Sequence, residues 1–199
     1  MDEYSLLPSV SVGYQDLEAI KDAQGPGSMA GTFEFSIGYI RYDGTGELDH
    51  WYYKGLAELY TPIAGNFYAG LGYRRLLDDL GPGVSSTGAL GYDRLSQYFY
   101  LPVGYLFNLE GGGNIKAQYN LFIEGLQTSY LTQAGYPFDP EKTQTSGYGF
   151  DLSYQAPSAD WQAYARYWYI DNSEYVYMSG LWWVEPQNET IEIGVRIPF

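Results

Sequence analysis

Cysteine, histidine and basic residues are scarce in this sequence. Its 199 residues include no cysteine, one histidine and ten lysines and arginines, against 24 aspartates and glutamates. The lack of cysteine fits an exported protein that needs no disulfide bonds. The net charge of −14 disfavours nucleic acid as a partner, because nucleic acid requires a basic surface, and it also disfavours electrostatic docking on anionic lipid.

Long apolar runs are absent as well. No stretch reaches the about 18 continuous apolar residues of a membrane-spanning helix, so the sequence excludes a helical membrane protein. Met1 is followed directly by Asp2, Glu3 and Tyr4, without the basic start and apolar centre of an export signal. We interpret Met1 as a start that replaces a removed signal segment.

Tyrosine and glycine are abundant instead. The chain has 23 tyrosines and 25 glycines, and 45% of its residues are hydrophobic, which is too apolar for a disordered segment. Both residue types favour pleated strands and tight turns over helices. A mean hydropathy of −0.30 is compatible with a membrane barrel, because only alternate positions of its strands need to be apolar. We therefore predict one all-β domain over residues 1–199.

Apolar residues alternate with small or polar ones along most of the chain, and this period of two predicts β-strands. We predict an all-β, antiparallel, up-and-down transmembrane β-barrel, because the segments have about the length of tilted membrane strands. Eight strands are secure within residues 32–199, and the total is at most ten. Residues 1–31 supply an N-terminal strand and an irregular segment. The predicted strands are 4–15, 32–42, 51–61, 66–76, 97–107, 115–126, 146–156, 161–171 and 189–199.

The segment 115–124 shows how the two faces of a strand differ. Its odd positions from Ile115 to Ile123 are apolar, whereas most even positions from Lys116 to Glu124 are polar or charged. Large apolar side chains fit lipid better than a narrow lumen, so we predict that this face points outward into a membrane. The alternative is a soluble β-sandwich or a lipocalin-like binding barrel, in which the apolar face points inward.

The predicted connections alternate in length, as in outer-membrane barrels with short periplasmic turns and long outer loops. Residues 62–65, 108–114 and 157–160 form short links, and the long connections 77–96, 127–145 and 172–188 are rich in small and acidic residues. We expect these loops to give the outer surface an acidic character. The terminal Phe199 resembles the assembly signal of bacterial outer-membrane proteins, which implies contact with the outer-membrane assembly machinery.

Ionisable residues on the polar faces are predicted to point into the barrel. A charge removed from water must be paired, so a balanced set implies salt bridges across strands that obstruct the lumen. The predicted lumen charge network has five acids and five bases: Glu34, Glu58, Glu124, Asp151 and Glu192 with Lys54, Arg74, Lys116, Arg166 and Arg196.

Signals for catalysis and for metal binding are weak. His50 is the only histidine and the only plausible general base of an outer-membrane enzyme, but a histidine beside Trp51 at the barrel rim is more typical of a membrane interface. No nucleophile motif or calcium-loop motif occurs in the sequence. We interpret acid pairs such as Asp78 and Asp79 as ordinary loop residues. We predict no catalytic residue, no metal site and no cofactor.

Five segments of the chain are similar to known proteins: Gly70–Arg75, Tyr98–Tyr105, Ser146–Gly149, Ala165–Asp171 and Glu185–Gly194. They resemble an uncharacterised family of Gram-negative outer-membrane β-barrel proteins, called porin-like. The resemblance covers most of the chain from about residue 4, and it implies the fold, ten strands and the outer-membrane location, without a substrate or catalytic residue. Here residues 24–31 run almost directly into the next strand, so one strand of the family pattern is missing.

The functional expectation is a closed or narrow barrel in the bacterial outer membrane, with a structural or surface-binding role. Its expected partners are outer-membrane lipid and lipopolysaccharide. Three alternatives remain open on the sequence alone. The chain could be a narrow channel for small solutes, an outer-membrane enzyme that uses His50, or a soluble β-barrel binding protein.

Overall fold

The computed structural model describes residues 9–15, 29–40, 48–81 and 83–196. These residues form a β structure with one short 3-10 helix, Leu131–Ala134. The described part of the chain contains no helix long and apolar enough to cross a membrane. The strands are β1 (Ser9–Gln15), β2 (Ala30–Ile40), β3 (His50–Ala64), β4 (Phe67–Asp79), β5 (Arg94–Asn108), β6 (Asn114–Ser129), β7 (Glu141–Gln144), β8 (Gly147–Gln155), β9 (Gln162–Ile170), β10 (Val176–Met178), β11 (Leu181–Trp183) and β12 (Asn188–Arg196).

Nine strands form one antiparallel wall that curls into a nearly closed barrel. Their order is β1-β2-β3-β4-β5-β6-β8-β9-β12, and every hydrogen-bonded neighbour pair is antiparallel. β1 and β12 approach each other at the seam, where the described residues form no backbone ladder. Because the number of wall strands is odd, these two strands run in the same direction.

The predicted all-β, antiparallel barrel fold is confirmed. The eight strands predicted within residues 32–199 correspond to β2, β3, β4, β5, β6, β8, β9 and β12, and the additional N-terminal strand corresponds to β1. Residues 16–28, predicted to be irregular, lie outside the described residues, as do residues 4–8 of the first predicted strand.

The connections alternate between short and long, as predicted. Residues 65–66, 109–113 and 156–161 form the links at one end of the barrel, which we call the short-turn end. The opposite end, called the long-connection end, carries additional structure that the alternation pattern did not predict. β7 adds to β6 there, and β10 and β11 form a separate hairpin.

Burial alternates along the wall strands, so each strand has an inward and an outward face. In β2 the two faces alternate through all 11 residues, with Glu34 and Ser36 buried and Phe33 and Phe35 exposed. This follows from the pleat, which sends successive side chains to opposite faces. The exposed outward residues are large and apolar: Phe33, Phe35, Ile37, Leu59, Leu71, Phe99, Leu101, Val103, Leu121, Ile123, Phe150, Leu152, Ile191, Ile193 and Val195.

Two inward glycines make room for tyrosine rings. A Cβ atom at Gly72 would collide with the ring of Tyr100, and one at Gly104 would collide with the ring of Tyr68. Both rings are fully buried. The glycines are therefore packing positions that let large aromatic side chains cross the barrel interior.

Pro102 occupies a central strand, where proline removes one ladder hydrogen bond. The β4–β5 register has a gap at this point, between the pairs Ala69↔Val103 and Gly72↔Tyr100. The proline therefore coincides with a local interruption of the ladder, while the β5–β6 pairing continues through Pro102.

Candidate functional site: the charged barrel interior

Nine of the ten residues predicted for the lumen charge network lie inside the barrel. Eight of them are buried, and the side chain of Glu192 is 14% exposed. The exception is Glu124, which is exposed on the outer face. The eight buried residues are Glu34, Lys54, Glu58, Arg74, Lys116, Asp151, Arg166 and Arg196.

The prediction that Glu124 points inward is wrong because of a β-bulge in β6. Phe99 pairs with Glu124, but the next residue of β5, Tyr100, pairs with Phe122, so Ile123 is an additional residue. Ile123 and Glu124 are both exposed, and the alternation then resumes with Gly125 buried. A bulge inserts one residue into one strand, so an alternation counted along the sequence is shifted by one beyond it.

Seven charged residues form a continuous group, here called the central cluster. Its members come from β2, β3, β4, β8, β9 and β12, and therefore connect strands that are far apart in the wall. The members are Glu34, Lys54, Arg74, Asp151, Arg166, Glu192 and Arg196.

Arg166 is the hub of the central cluster because it contacts all three acids. Its Nε donates to Asp151 Oδ2 at 3.0 Å, its Nη2 donates to Glu34 Oε2 at 3.2 Å, and its Nη1 donates to Glu192 Oε2 at 3.1 Å. The fixed fork of the guanidinium allows one side chain to bind several carboxylates at once.

The carboxylates of Glu34 and Glu192 are bound by several bases each. Lys54 Nζ lies 3.3 Å from Glu34 Oε1 and donates to Glu192 Oε2 at 2.5 Å, so it bridges the two acids. Arg196 Nη1 donates to Glu34 Oε2 at 3.3 Å, and Arg74 Nη2 donates to Glu192 Oε1 at 3.0 Å. These contacts connect β2, β3, β4 and β12 through the barrel interior.

Glu58 and Lys116 form a second buried pair, with Nζ and Oε2 3.9 Å apart. Polar neighbours surround the carboxylate: Tyr100 Oη and Gln118 Nε2 each donate to Glu58 Oε1 at 2.8 Å, and the Tyr60 hydroxyl donates to Oε2. The buried charge is thus hydrogen-bonded from three directions, which offsets its desolvation.

An aromatic cluster lies beside the central cluster. Tyr98, Tyr100, Trp168 and Ile170 are buried together. The Tyr100 and Trp168 rings pack edge to face, with centroids 4.9 Å apart. The Arg74 guanidinium carbon lies 5.5 Å from the Trp168 ring centroid, so this base contacts both the aromatic cluster and Glu192.

A second ionic group lies at the long-connection end and is here called the rim cluster: His50, Asp78, Arg94, Lys142 and Glu185. Arg94 Nη2 lies 3.4 Å from Asp78 Oδ2, and Lys142 Nζ lies 3.0 Å from Glu185 Oε2. The Arg94 side chain is 31% exposed, so this group is in contact with solvent. Sequence reasoning missed it because Lys142 and Glu185 lie in connections without a regular alternation.

His50 is a buried member of the rim cluster. Its Nδ1 lies 3.0 Å from the Leu48 carbonyl oxygen, and its Nε2 lies 3.7 Å from Asp78 Oδ1. Both ring nitrogens thus face groups that hold the imidazole in place, and the ring is 3% exposed.

Phe199 lies beyond the last described residue, Arg196. Within the described ranges, no group of three or more His, Cys, Asp or Glu side chains is arranged to hold a metal ion.

Salt bridges and buried aromatic side chains thus connect strands from different parts of the wall through the barrel interior. No protein-family model, curated protein or solved structure matches this chain.

Proposed function

We propose that this chain is an integral outer-membrane β-barrel of a Gram-negative bacterium, with an interior closed by charge pairing and a structural or surface-binding role. The observation that carries the proposal is the distribution of side chains between the two faces. Charges lie inside and large apolar residues lie outside, which is the reverse of a soluble barrel.

The outer face supports a membrane location in two respects. Exposed large hydrophobics recur on seven wall strands, β2, β3, β4, β5, β6, β8 and β12, and monomeric soluble proteins rarely expose an apolar surface this extended. Aromatic residues also lie near both ends of the strands, as in the interfacial girdles of membrane barrels. Tyr39 packs on Trp51 at the long-connection end, and Phe67 packs on Tyr105 at the short-turn end.

The proposed orientation places the short turns in the periplasm and the long connections outside the cell. The long connections carry several acids, among them Asp93, Asp139, Asp171 and Glu174, and Lys142 as a base. An acidic outer surface of this kind suits contact with lipopolysaccharide through divalent cations and disfavours direct contact with its phosphates.

Two measurements test this proposal. A folded barrel in detergent keeps a compact shape on an unheated gel, so its band should shift on boiling, and the absence of a shift would favour a soluble protein. Planar-bilayer recordings of the pure protein should show no steady conductance steps. Regular steps would contradict the closed interior and favour the narrow channel.

A further inference from the structure

The central cluster carries one more base than acid among the described residues. Lys54, Arg74, Arg166 and Arg196 face only three carboxylates, because the bulge in β6 turns Glu124 outward. Glu58 and Lys116 balance each other. In the rim cluster, Arg94 and Lys142 balance two acids when the imidazole is neutral. A surplus charge in a buried site is costly unless a counter-charge accompanies it.

Two buried donors mark where such a counter-charge fits. Arg74 Nε and Trp168 Nε1 have no hydrogen-bond acceptor within the described residues, although the two side chains are 3% and 0% exposed. The two side chains are in contact, since the Arg74 guanidinium carbon lies 5.5 Å from the Trp168 ring centroid. Neither side chain can accept a hydrogen bond, so any ligand shared by the two must be an acceptor.

Other buried atoms without a hydrogen bond among the described residues differ from this pair, since Gln144 Oε1 is an acceptor and Ser153 Oγ can both donate and accept. Asp151 Oδ1 and Arg196 Nη2 lie 3.8 Å apart, and an acceptor and a donor at that distance compensate each other. Arg74 Nε and Trp168 Nε1 are both donors, and they belong to side chains beside a surplus positive charge. This combination favours an anion over a water molecule, because an anion brings the missing negative charge together with the acceptor.

We propose that the barrel interior binds one small monovalent anion of the halide class between Arg74 and Trp168. The anion accepts hydrogen bonds from Arg74 Nε and Trp168 Nε1 and neutralises the central cluster. The proposed anion site does not depend on where the barrel resides. An experiment on the site is therefore separate from an experiment on the proposed membrane location.

A bromide experiment locates the anion directly. The protein is folded and crystallised in sodium bromide, and anomalous diffraction is recorded at the bromine edge. We expect one interior peak within hydrogen-bond distance of Arg74 Nε and Trp168 Nε1. An interior without a bromide peak, or with bromide on surface positions only, would overturn the site.

A solution experiment tests the same site through stability. The thermal unfolding midpoint is followed as bromide replaces gluconate at constant ionic strength. Trp168→Phe removes the N–H donor and keeps a ring, and we expect its apparent bromide affinity to fall about tenfold or more, as for the loss of a hydrogen bond to a charged group. Trp182→Phe is the matched control, because Trp182 is exposed on the β10–β11 hairpin. Equal bromide dependence in the two variants would contradict the proposal.

Discussion

The central cluster and the rim cluster use the same ion-pair chemistry in different surroundings. The Glu34 side chain is fully buried and contacts three bases, whereas Arg94 in the rim cluster is 31% exposed and contacts two acids at 3.4 and 3.7 Å. The two clusters differ in burial, and we expect burial to decide how much each salt bridge contributes to stability.

The physical reason lies in the response of the surroundings when one partner is lost. At the rim, water and salt replace the missing charge, so the remaining side chain is solvated again. In the middle of the barrel, the remaining charges stay buried beside aromatic rings. Removing one partner there leaves an uncompensated buried charge, which is strongly destabilising.

Glu34→Gln should therefore have the largest effect. It removes the negative charge that Lys54, Arg166 and Arg196 share, and we expect a loss of about 3–5 kcal/mol in the free energy of unfolding. Denaturant unfolding in detergent, followed by tryptophan fluorescence, measures it. The exposed Glu174→Gln is the control. Equal losses in both variants would remove the distinction between interior and exposed acids.

Tyr100→Phe should have an intermediate effect. The change removes the hydroxyl that donates to Glu58 Oε1 at 2.8 Å and keeps the ring packed on Trp168. Loss of a hydrogen bond to a buried charge costs about 1.5–3 kcal/mol. Tyr177→Phe on the exposed hairpin is the matched control in the same unfolding measurement. A Tyr100 variant as stable as this control would show that the hydroxyl contributes nothing to the Glu58 site.

Arg94→Ala should have a small effect of about 0–1 kcal/mol, because the side chain is partly exposed and its ion pairs are screened. The difference from the wild type should shrink further as sodium chloride is raised. A loss as large as that of Glu34→Gln, with no salt dependence, would show that the rim cluster behaves as a buried group.

Glu124→Gln should cause the smallest loss in the free energy of unfolding. It compares an outward acid with the inward acid Glu34. Because the bulge turns this residue outward and away from the buried bases, we expect no loss in the free energy of unfolding, since a carboxylate gains no stability on a lipid-facing wall. If the residue pointed inward, its loss would resemble that of Glu34. The unfolding measurement of the two variants side by side separates these cases.

The wall strands could be predicted from the sequence because the period of two is a direct consequence of the pleat. It identified the strands of the barrel and the inward position of residues such as Glu34 and Arg166. The prediction failed at Glu124, although the apolar Phe122 that breaks the alternation and the glycine at position 125 are signals that accompany a bulge.

The arrangement of the interior could not be predicted in the same way. Alternation gives the side of the wall on which Arg166 lies, but its contacts to Glu34 and Glu192 depend on strand tilt and barrel closure. The rim cluster depends on Glu185, which lies in a long connection whose path is set by tertiary contacts such as the Ser173–Glu185 backbone hydrogen bond. These relations are not local in the chain.

The outward apolar face is the central claim, and spin-label accessibility in lipid vesicles tests it most directly. The chain has no cysteine, so Leu152→Cys on the outer face and Thr87→Cys on an exposed long connection each give a single label site. We predict that the label at position 152 is accessible to oxygen and protected from an aqueous nickel chelate, whereas the label at position 87 shows the opposite. Equal access of the chelate to both labels would contradict a membrane location for this face.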